Sequence, residues 1–145
     1  VEEREEIVTE LLNRMWTVPT VSWVARNPDE PPSIDDLPAI QIFEMPDEAI
    51  LKGFRSKFPE YARKLQVVLE FFINASARGA ETQELHAFGK ELKKKLYEGG
   101  ANLGNRCVFV EKEASRVLRP PIEGHVVGIG LVLEIEYIEK VADLF

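Results

Sequence analysis

The chain is short of the residues from which most active sites and all disulfide frameworks are built. It has one cysteine and two histidines in 145 residues. Cys107 alone excludes an internal disulfide and leaves no cysteine cluster for zinc, and a lone thiol suits a cytoplasmic setting. A metal site needs three or four converging ligands, and no spacing around His86 or His125 supplies them. His86 falls on a helix-like segment beside Leu85 and Phe88. His125 follows a glycine turn at the start of a strand-like run. Both read as surface or boundary residues. Apolar runs are short as well. None approaches the ~20 residues that a membrane helix requires. Glu2 to Glu6 place charge where a signal peptide would be apolar, so no leader and no membrane association are expected. Basic residues are outnumbered, 18 against 25 acidic ones, for a net charge of −7. That balance argues against a dedicated nucleic-acid binder. It favours solubility and protein partners, or a wall that a polyanion passes without sticking.

The length suits one domain, residues 1–145, large enough for a core. A hydrophobic share of 45% with 30% charged residues is that of a soluble globular chain, so the core must come from patterning and not from bulk apolarity. Glu2 to Met15 reads as an amphipathic helix, with Ile7, Val8, Leu11, Leu12 and Met15 on one stripe. Its first turns are acidic, as the helix dipole prefers. Pro19 makes continuation unfavourable. Val21 to Arg26 reads as a short strand. Asn27 to Asp36, with three prolines and four acids, reads as a loop. Leu37-Pro38 then leads into a second strand, Ala39 to Met45.

Asp47 to Tyr61 is ambiguous. Asp47 to Phe54 could form a short helix, but Gly53 and Pro59 punctuate the segment, and a connection of this length is uncommon unless functional. Lys64 to Ala75 alternates as a half-buried strand. Leu65, Val67, Leu69, Phe71, Ile73 and Ala75 share one face. Lys64, Gln66, Glu70 and Asn74 share the other, which Val68 and Phe72 interrupt. Glu81 to Tyr97 reads as a second helix with Leu85, Phe88, Leu92 and Leu96 on its core face, stopped by Gly99 and Gly100. Cys107 to Lys112 reads as a short strand. Val117 to Pro121 leads into a turn at Glu123-Gly124. His125 to Ile138 reads as the longest strand, with Ile129, Leu131, Leu133, Ile135 and Tyr137 on one face and Gly128, Gly130, Val132, Glu134 and Glu136 on the other. The expected fold is α+β: a two-layer sandwich in which two main helices cover a mostly antiparallel or mixed five-stranded sheet.

The search for chemistry finds no catalytic, metal-binding or cofactor-binding set. The paired acids Asp29-Glu30 and Asp35-Asp36 lie in a solvated loop without calcium-loop spacing. Gly99 to Gly104 follows a helix, whereas a phosphate cradle precedes one. Lys90, Lys93 and Lys94 lie opposite an apolar stripe and read as a solvated face, or at most a salt-sensitive phosphate contact. Two features stand apart. Gly128 and Gly130, beside Val132, are interior-strand glycines, which mark a bulge, internal packing or the close approach of another chain. The Asp47–Tyr61 connection holds Phe54, Phe58 and Tyr61 among Lys52, Arg55, Lys57 and Arg63, a mixture enriched at protein interfaces, though also one that fills gaps in a core. The interface candidates are therefore Phe54, Arg55, Phe58, Tyr61, Phe72, Gly128, Gly130 and Val132.

Several segments carry a family resemblance. They are Glu5-Glu6-Ile7-Val8-Thr9-Glu10-Leu11-Leu12, Val24-Ala25-Arg26-Asn27-Pro28, Leu37-Pro38-Ala39-Ile40-Gln41-Ile42, Leu65-Gln66-Val67-Val68-Leu69-Glu70 and the closing Ile129–Tyr137 strand. Taken together the chain resembles the tail terminator proteins of long-tailed bacteriophages, the group of the minor tail protein U of lambda-like phages. The resemblance implies a structural virion protein without catalysis or cofactor. It implies a homo-hexameric ring at the tail–neck junction, assembled in the host cytoplasm. Such a ring caps the tail tube, stops tube-protein polymerisation and offers a surface to the head–tail connector, while DNA passes the lumen without specific binding. The alternatives are another phage neck or head-completion component, a small ligand-binding or regulatory α+β domain, and an enzyme that uses carboxylates alone.

Overall fold

The computed structural model describes residues 2–46, 48–51, 60–112, 116–119 and 124–140. Two helices pack on one face of a mixed sheet, as the periodicities predict. The elements run α1 (Glu3–Trp16), β1 (Trp23–Arg26), β2 (Ala39–Glu44), β3 (Glu48–Leu51), β4 (Glu60–Asn74), α2 (Glu81–Leu96), β5 (Val108–Glu111), β6 (Arg116–Leu118) and β7 (Val126–Lys140). Five strands form the path β1-β2-β4-β7-β5, and β3 and β6 add short pairings to β4 and β7.

The sheet is organised by its two longest strands. β4 and β7 pair antiparallel over their full lengths, from Glu60↔Lys140 to Asn74↔Val126. Each then has its outer edge covered by two short strands placed end to end. Along β4 these are β2, opposite Val67 to Phe72, and β3, opposite Tyr61 to Lys64. Along β7 they are β6, opposite Gly128 to Gly130, and β5, opposite Leu133 to Glu136. A lone strand of 3 or 4 residues is not stable in water. Here each is held by ladder bonds to a strand already buried.

The structure corrects one local expectation and adds two features that the sequence does not show. Glu48–Leu51 is a strand, not the start of a short helix, because the neighbouring edge of β4 offers unpaired backbone groups that a helix would leave unused. Arg116–Leu118, at the start of the stretch that leads into the Glu123-Gly124 turn, is the short strand β6. β1 also runs parallel to β2, from Trp23↔Ala39 to Arg26↔Ile42. Parallel neighbours need a crossover of about a dozen residues or more. Residues 27–38 supply it, and they include a single 3-10 turn at Ile34–Asp36 and a cis Leu37–Pro38 peptide.

The core lies between the helices and the sheet. α1 contributes Ile7, Val8, Leu11 and Met15, and α2 contributes Leu85, Phe88, Leu92 and Leu96. The sheet answers with Ile40 and Ile42 from β2, Leu65 to Ile73 at alternate positions of β4, and Val127 to Tyr137 at alternate positions of β7. Each such large side chain contributes ~1.5–3 kcal/mol on burial. Gly89, in the middle of α2, has a packing reason. A Cβ there would stand 3.0 Å from Cζ of Phe71, so the missing side chain lets that ring reach the helix.

Polar contacts fix how the helices sit. Arg14 near the end of α1 donates from Nη1 to the carbonyls of Lys95, Leu96 and Glu98 at 3.4, 3.2 and 2.8 Å. These carbonyls lie at and just beyond the end of α2, where intrahelical partners run out, so one side chain caps one helix and ties it to the other. The helix then stops at Gly99 and Gly100, both at positive φ. Tyr97 donates to Glu111 at 2.9 Å and packs on Phe109, joining the same end of α2 to β5. Burial, then the neighbouring Glu111 carboxylate, push the Tyr97 hydroxyl up to about 12.

Candidate functional site

The two faces of the sheet have different fates. The face carrying Leu65, Val67, Leu69 and Phe71 is closed by the helices. The alternate residues point the other way, and the registers place them in rows. Ala39, Phe72, Gly128 and Leu118 form one row, then Gln41, Glu70 and Gly130. Phe43, Val68 and Val132 form the next, followed by Gln66, Glu134 and Val110, and then Lys64, Glu136 and Val108.

This helix-free face is closed at one end and open at the other. Ala39, Gln41 and Phe72 are buried. Nearby, Ile34 of the crossover lies against Gly124, and Pro32 is buried, so residues 27–38 run along this end. Gln41 donates to Glu70 at 2.6 Å. Toward the other end, Phe43, Val68 and Val132 make a half-buried apolar row. Val110 and Val108 on β5 are 55% and 63% exposed. Between these apolar positions sits Glu134, which pairs with Lys64 at 3.0 Å and Lys112 at 2.8 Å. The hydrogen bonds from Lys112 and Lys64 hold its carboxyl below the usual range. The surface therefore offers methyl groups around a neutralised carboxylate, which is chemistry for contact with another surface.

The candidate residues divide among these regions. Phe54, Arg55 and Phe58 lie outside the described residues. Tyr61 is in β4, its backbone opposite Leu51 on one side and Glu139 on the other. Phe72 and Gly128 are cross-strand partners. A Cβ on Gly128 would lie 2.4 Å from Cδ1 of Phe72 and 2.7 Å from the Phe71 carbonyl oxygen. The close approach at this glycine is thus made by the chain's own phenyl ring. Gly130 is less crowded: a Cβ would meet Leu118 at 3.4 Å and Glu70 at 3.6 Å, ordinary contact. Val132 faces Val68 in the apolar row.

The residues weighed for chemistry are dispersed. His86 is exposed on α2, and His125 stands 3.9 Å from Glu81. Cys107 is buried beside the Asn102 carbonyl, and burial pushes its thiol up to about 12, which keeps it protonated and unreactive. Among the described residues no group of three His, Cys, Asp or Glu side chains could hold a metal ion.

Sequence reasoning missed one polar cluster. Arg26 on β1 donates to both oxygens of Glu5 on α1, at 2.9 and 2.6 Å, and to both oxygens of Glu44 on β2, at 2.7 and 3.1 Å. Asn27 adds a bond to Glu44 at 2.8 Å and Arg4 reaches it at 3.3 Å. Burial raises the Glu44 pKa, but the hydrogen bonds from Arg26 and Asn27 outweigh it and leave the carboxyl below its ordinary value. The Arg26 bond also lowers Glu5. The three residues are far apart in sequence, and only the β1–β2 pairing and the seating of α1 bring them together. The cluster clamps a helix to a sheet edge, and its Glu5 also lines a surface pocket with Glu6, Thr9, Glu10, Asn13 and Arg106.

No family model and no curated protein matches the chain. Among solved structures, a chain of the virion of a native gene transfer agent (GTA) particle is similar to it. It is 11% identical, over 92% of this chain and 91% of that chain, with a TM-score of 0.40.

Proposed function

We propose that the protein is a structural component of a phage-type virion, a tail terminator that works by contact and not by turnover. In this reading it forms a homo-hexameric ring on the tail tube, stops addition of tube protein and presents the head-attachment surface to the connector. DNA passes the lumen unbound, and no metal or cofactor takes part. The observation that carries the proposal is the sheet face the helices leave open. Its apolar row and exposed β5 valines surround a carboxylate neutralised by two lysines, a surface built for a protein partner. The family resemblance supports it from the sequence side, because its segments fall on the frame of the fold: α1, β1, β2, β4 and the closing strand. A ring needs two different patches per copy, met head to tail.

Electron microscopy of the protein mixed with polymerising tail tubes tests the reading. Capping of one tube end, with tubes of fixed length, is the expected result. Binding to heads alone would defeat it in favour of a neck or head-completion role.

A further inference from the structure

Away from the open sheet face, on the helical side, a groove of about 550 Å³ runs between α2 and β7. Phe71, Ile129 and Leu131 form its floor and Lys90, Lys93 and Lys94 of α2 its rim. The floor side chains are buried, so the reachable wall is largely the lysine stems and their ammonium heads. Those charges are little used. Lys93 meets Glu111 at 3.3 Å and Lys94 meets Glu91 at 3.1 Å, and in both pairs the lysine is exposed. Exposed pairs of this kind contribute little. Lys90 has no acidic partner among the described residues. The groove is an unspent cationic site.

The chain also carries an unspent anionic one. Among the described residues many acids are engaged: Glu5 and Glu44 by Arg26, Glu6 by Arg106, Glu134 by Lys64 and Lys112. In the 27–38 crossover, Asp29, Glu30 and Asp35 are exposed and have no cationic partner among the described residues. Ile34 between them is 39% exposed. The crossover is already ordered. Pro28, Pro31 and Pro32 restrict it, Asp36 accepts from the Ser33 N–H and hydroxyl at 2.9 and 3.1 Å, and Asn27 is bonded to Glu44. An ordered loop gives up little entropy on docking. It leaves the sheet from the edge strand β1 and reaches Gly124 on the helix-free side through Ile34, while the groove opens on the helix side over β4 and β7.

We infer that the acidic crossover of one copy docks in the lysine groove of the next, with Asp29, Glu30 and Asp35 against Lys90, Lys93 and Lys94 and Ile34 over the lysine stems. The two surfaces are opposite in sign: three lysines rim the groove, and the loop carries Asp29, Glu30 and Asp35 beside Asp36, whose carboxylate is bonded to Ser33. Fields decay over ~8 Å at physiological ionic strength, so these patches and not the net charges of the two copies govern the encounter. The inference rests on the ring reading to the extent that copies must meet, and it adds which surfaces meet.

The test is sedimentation velocity across concentration on three samples beside the wild type. These are the groove reversal Lys90→Glu/Lys93→Glu/Lys94→Glu, the loop reversal Asp29→Lys/Glu30→Lys/Asp35→Lys, and an equimolar mixture of the two, each checked for fold by circular dichroism. Each reversal alone should weaken self-association by on the order of 100-fold, because like charges then face each other. The mixture should restore it, since each reversed loop finds a reversed groove. The loop variant alters no regular helix or strand core, so it remains informative if the helix variant folds poorly. A wild type monomeric at every concentration, reversals that associate as the wild type does, or a mixture that fails to recover would each overturn the contact. So would a short DNA duplex that binds the wild type and not the groove variant while self-association is unchanged. If the groove variant still caps tail tubes, the contact fails and the capping reading survives. If neither protein caps tubes while the charge swap restores association, the capping reading fails and the contact survives.

Discussion

Leu69 and Val68 are neighbours in β4, yet they belong to different surfaces. Leu69 points into the layer under α1 and α2 and is fully buried. Val68 points to the helix-free side, in a row with Phe43 and Val132, and is half-buried. The same contrast runs along β7 between Leu131 and Val132. One face of the sheet is closed by the helices, and the other is covered at its crossover end; under the proposed function its open end is left for partners. The difference teaches that stability and assembly can be altered separately here, residue by residue along one strand.

The contrast can be broken most strongly on the closed side. Leu69→Ala should cost about 2–5 kcal/mol, read as a lower urea midpoint at unchanged slope. An effect below about 1 kcal/mol would mean that the helices do not seal this face.

Gly128→Ala tests the closed end of the open face. The added Cβ would meet both a ring and a backbone oxygen at 2.4 to 2.7 Å, and the backbone cannot yield as a side-chain tip would. A loss of about 1–3 kcal/mol is expected. Gly130→Ala, two residues on, should be near neutral because its neighbours stand at 3.4 Å or more. Equal effects at the two positions would show that the Phe72 contact is not the reason for Gly128.

The Arg26 clamp lies at the boundary of the two layers. Arg26→Ala removes two of the bonds to the nearly buried Glu44 carboxylate, leaving Asn27 and Arg4 beside it, and should cost about 1–3 kcal/mol. The pH dependence has a definite sign. Glu5 and Glu44 both have depressed values in the folded chain. Their contribution is therefore complete above the ordinary glutamate value of 4.5 and is lost as pH falls through the lower folded values. Thermal melts should show a wild-type Tm that drops below about pH 4.5, and Arg26→Ala should flatten that drop. A parallel acid limb in both proteins would assign acid sensitivity elsewhere.

The smallest effect on stability is expected on the open side. Val110→Ser should change unfolding by no more than about 0.5 kcal/mol. Under the proposed function it should nonetheless reduce tube capping in the microscopy assay. A stability loss comparable to that of Leu69→Ala would erase the distinction between the faces.

Much of this frame is legible from the chain. The alternation in β4 and β7 assigns the buried helix-side positions from Leu65 to Ile73 and from Ile129 to Tyr137, to which the structure adds Val127, and the stripes of α1 and α2 give their contact faces. Gly99 and Gly100 end α2 where expected. The misses share one physical origin. β3 and β6 have 4 and 3 residues, too few for a period to show, and they are strands because β4 and β7 present open edges beside them. The direction of β1 is not a local property either. The Arg26 clamp joins residues from three elements, and no spacing announces it.

Phe72 and Gly128 show the boundary most clearly. Each is an exception in its own strand, an aromatic on a polar face and a glycine in a strand interior. The sequence alone determined that both were anomalous, because alternation is a local pattern written in consecutive residues. Only the tertiary structure decided that each accounts for the other. Pairing places Phe72 opposite Gly128 across strands 56 positions apart, and a register between distant segments is set by the packing of the whole sheet.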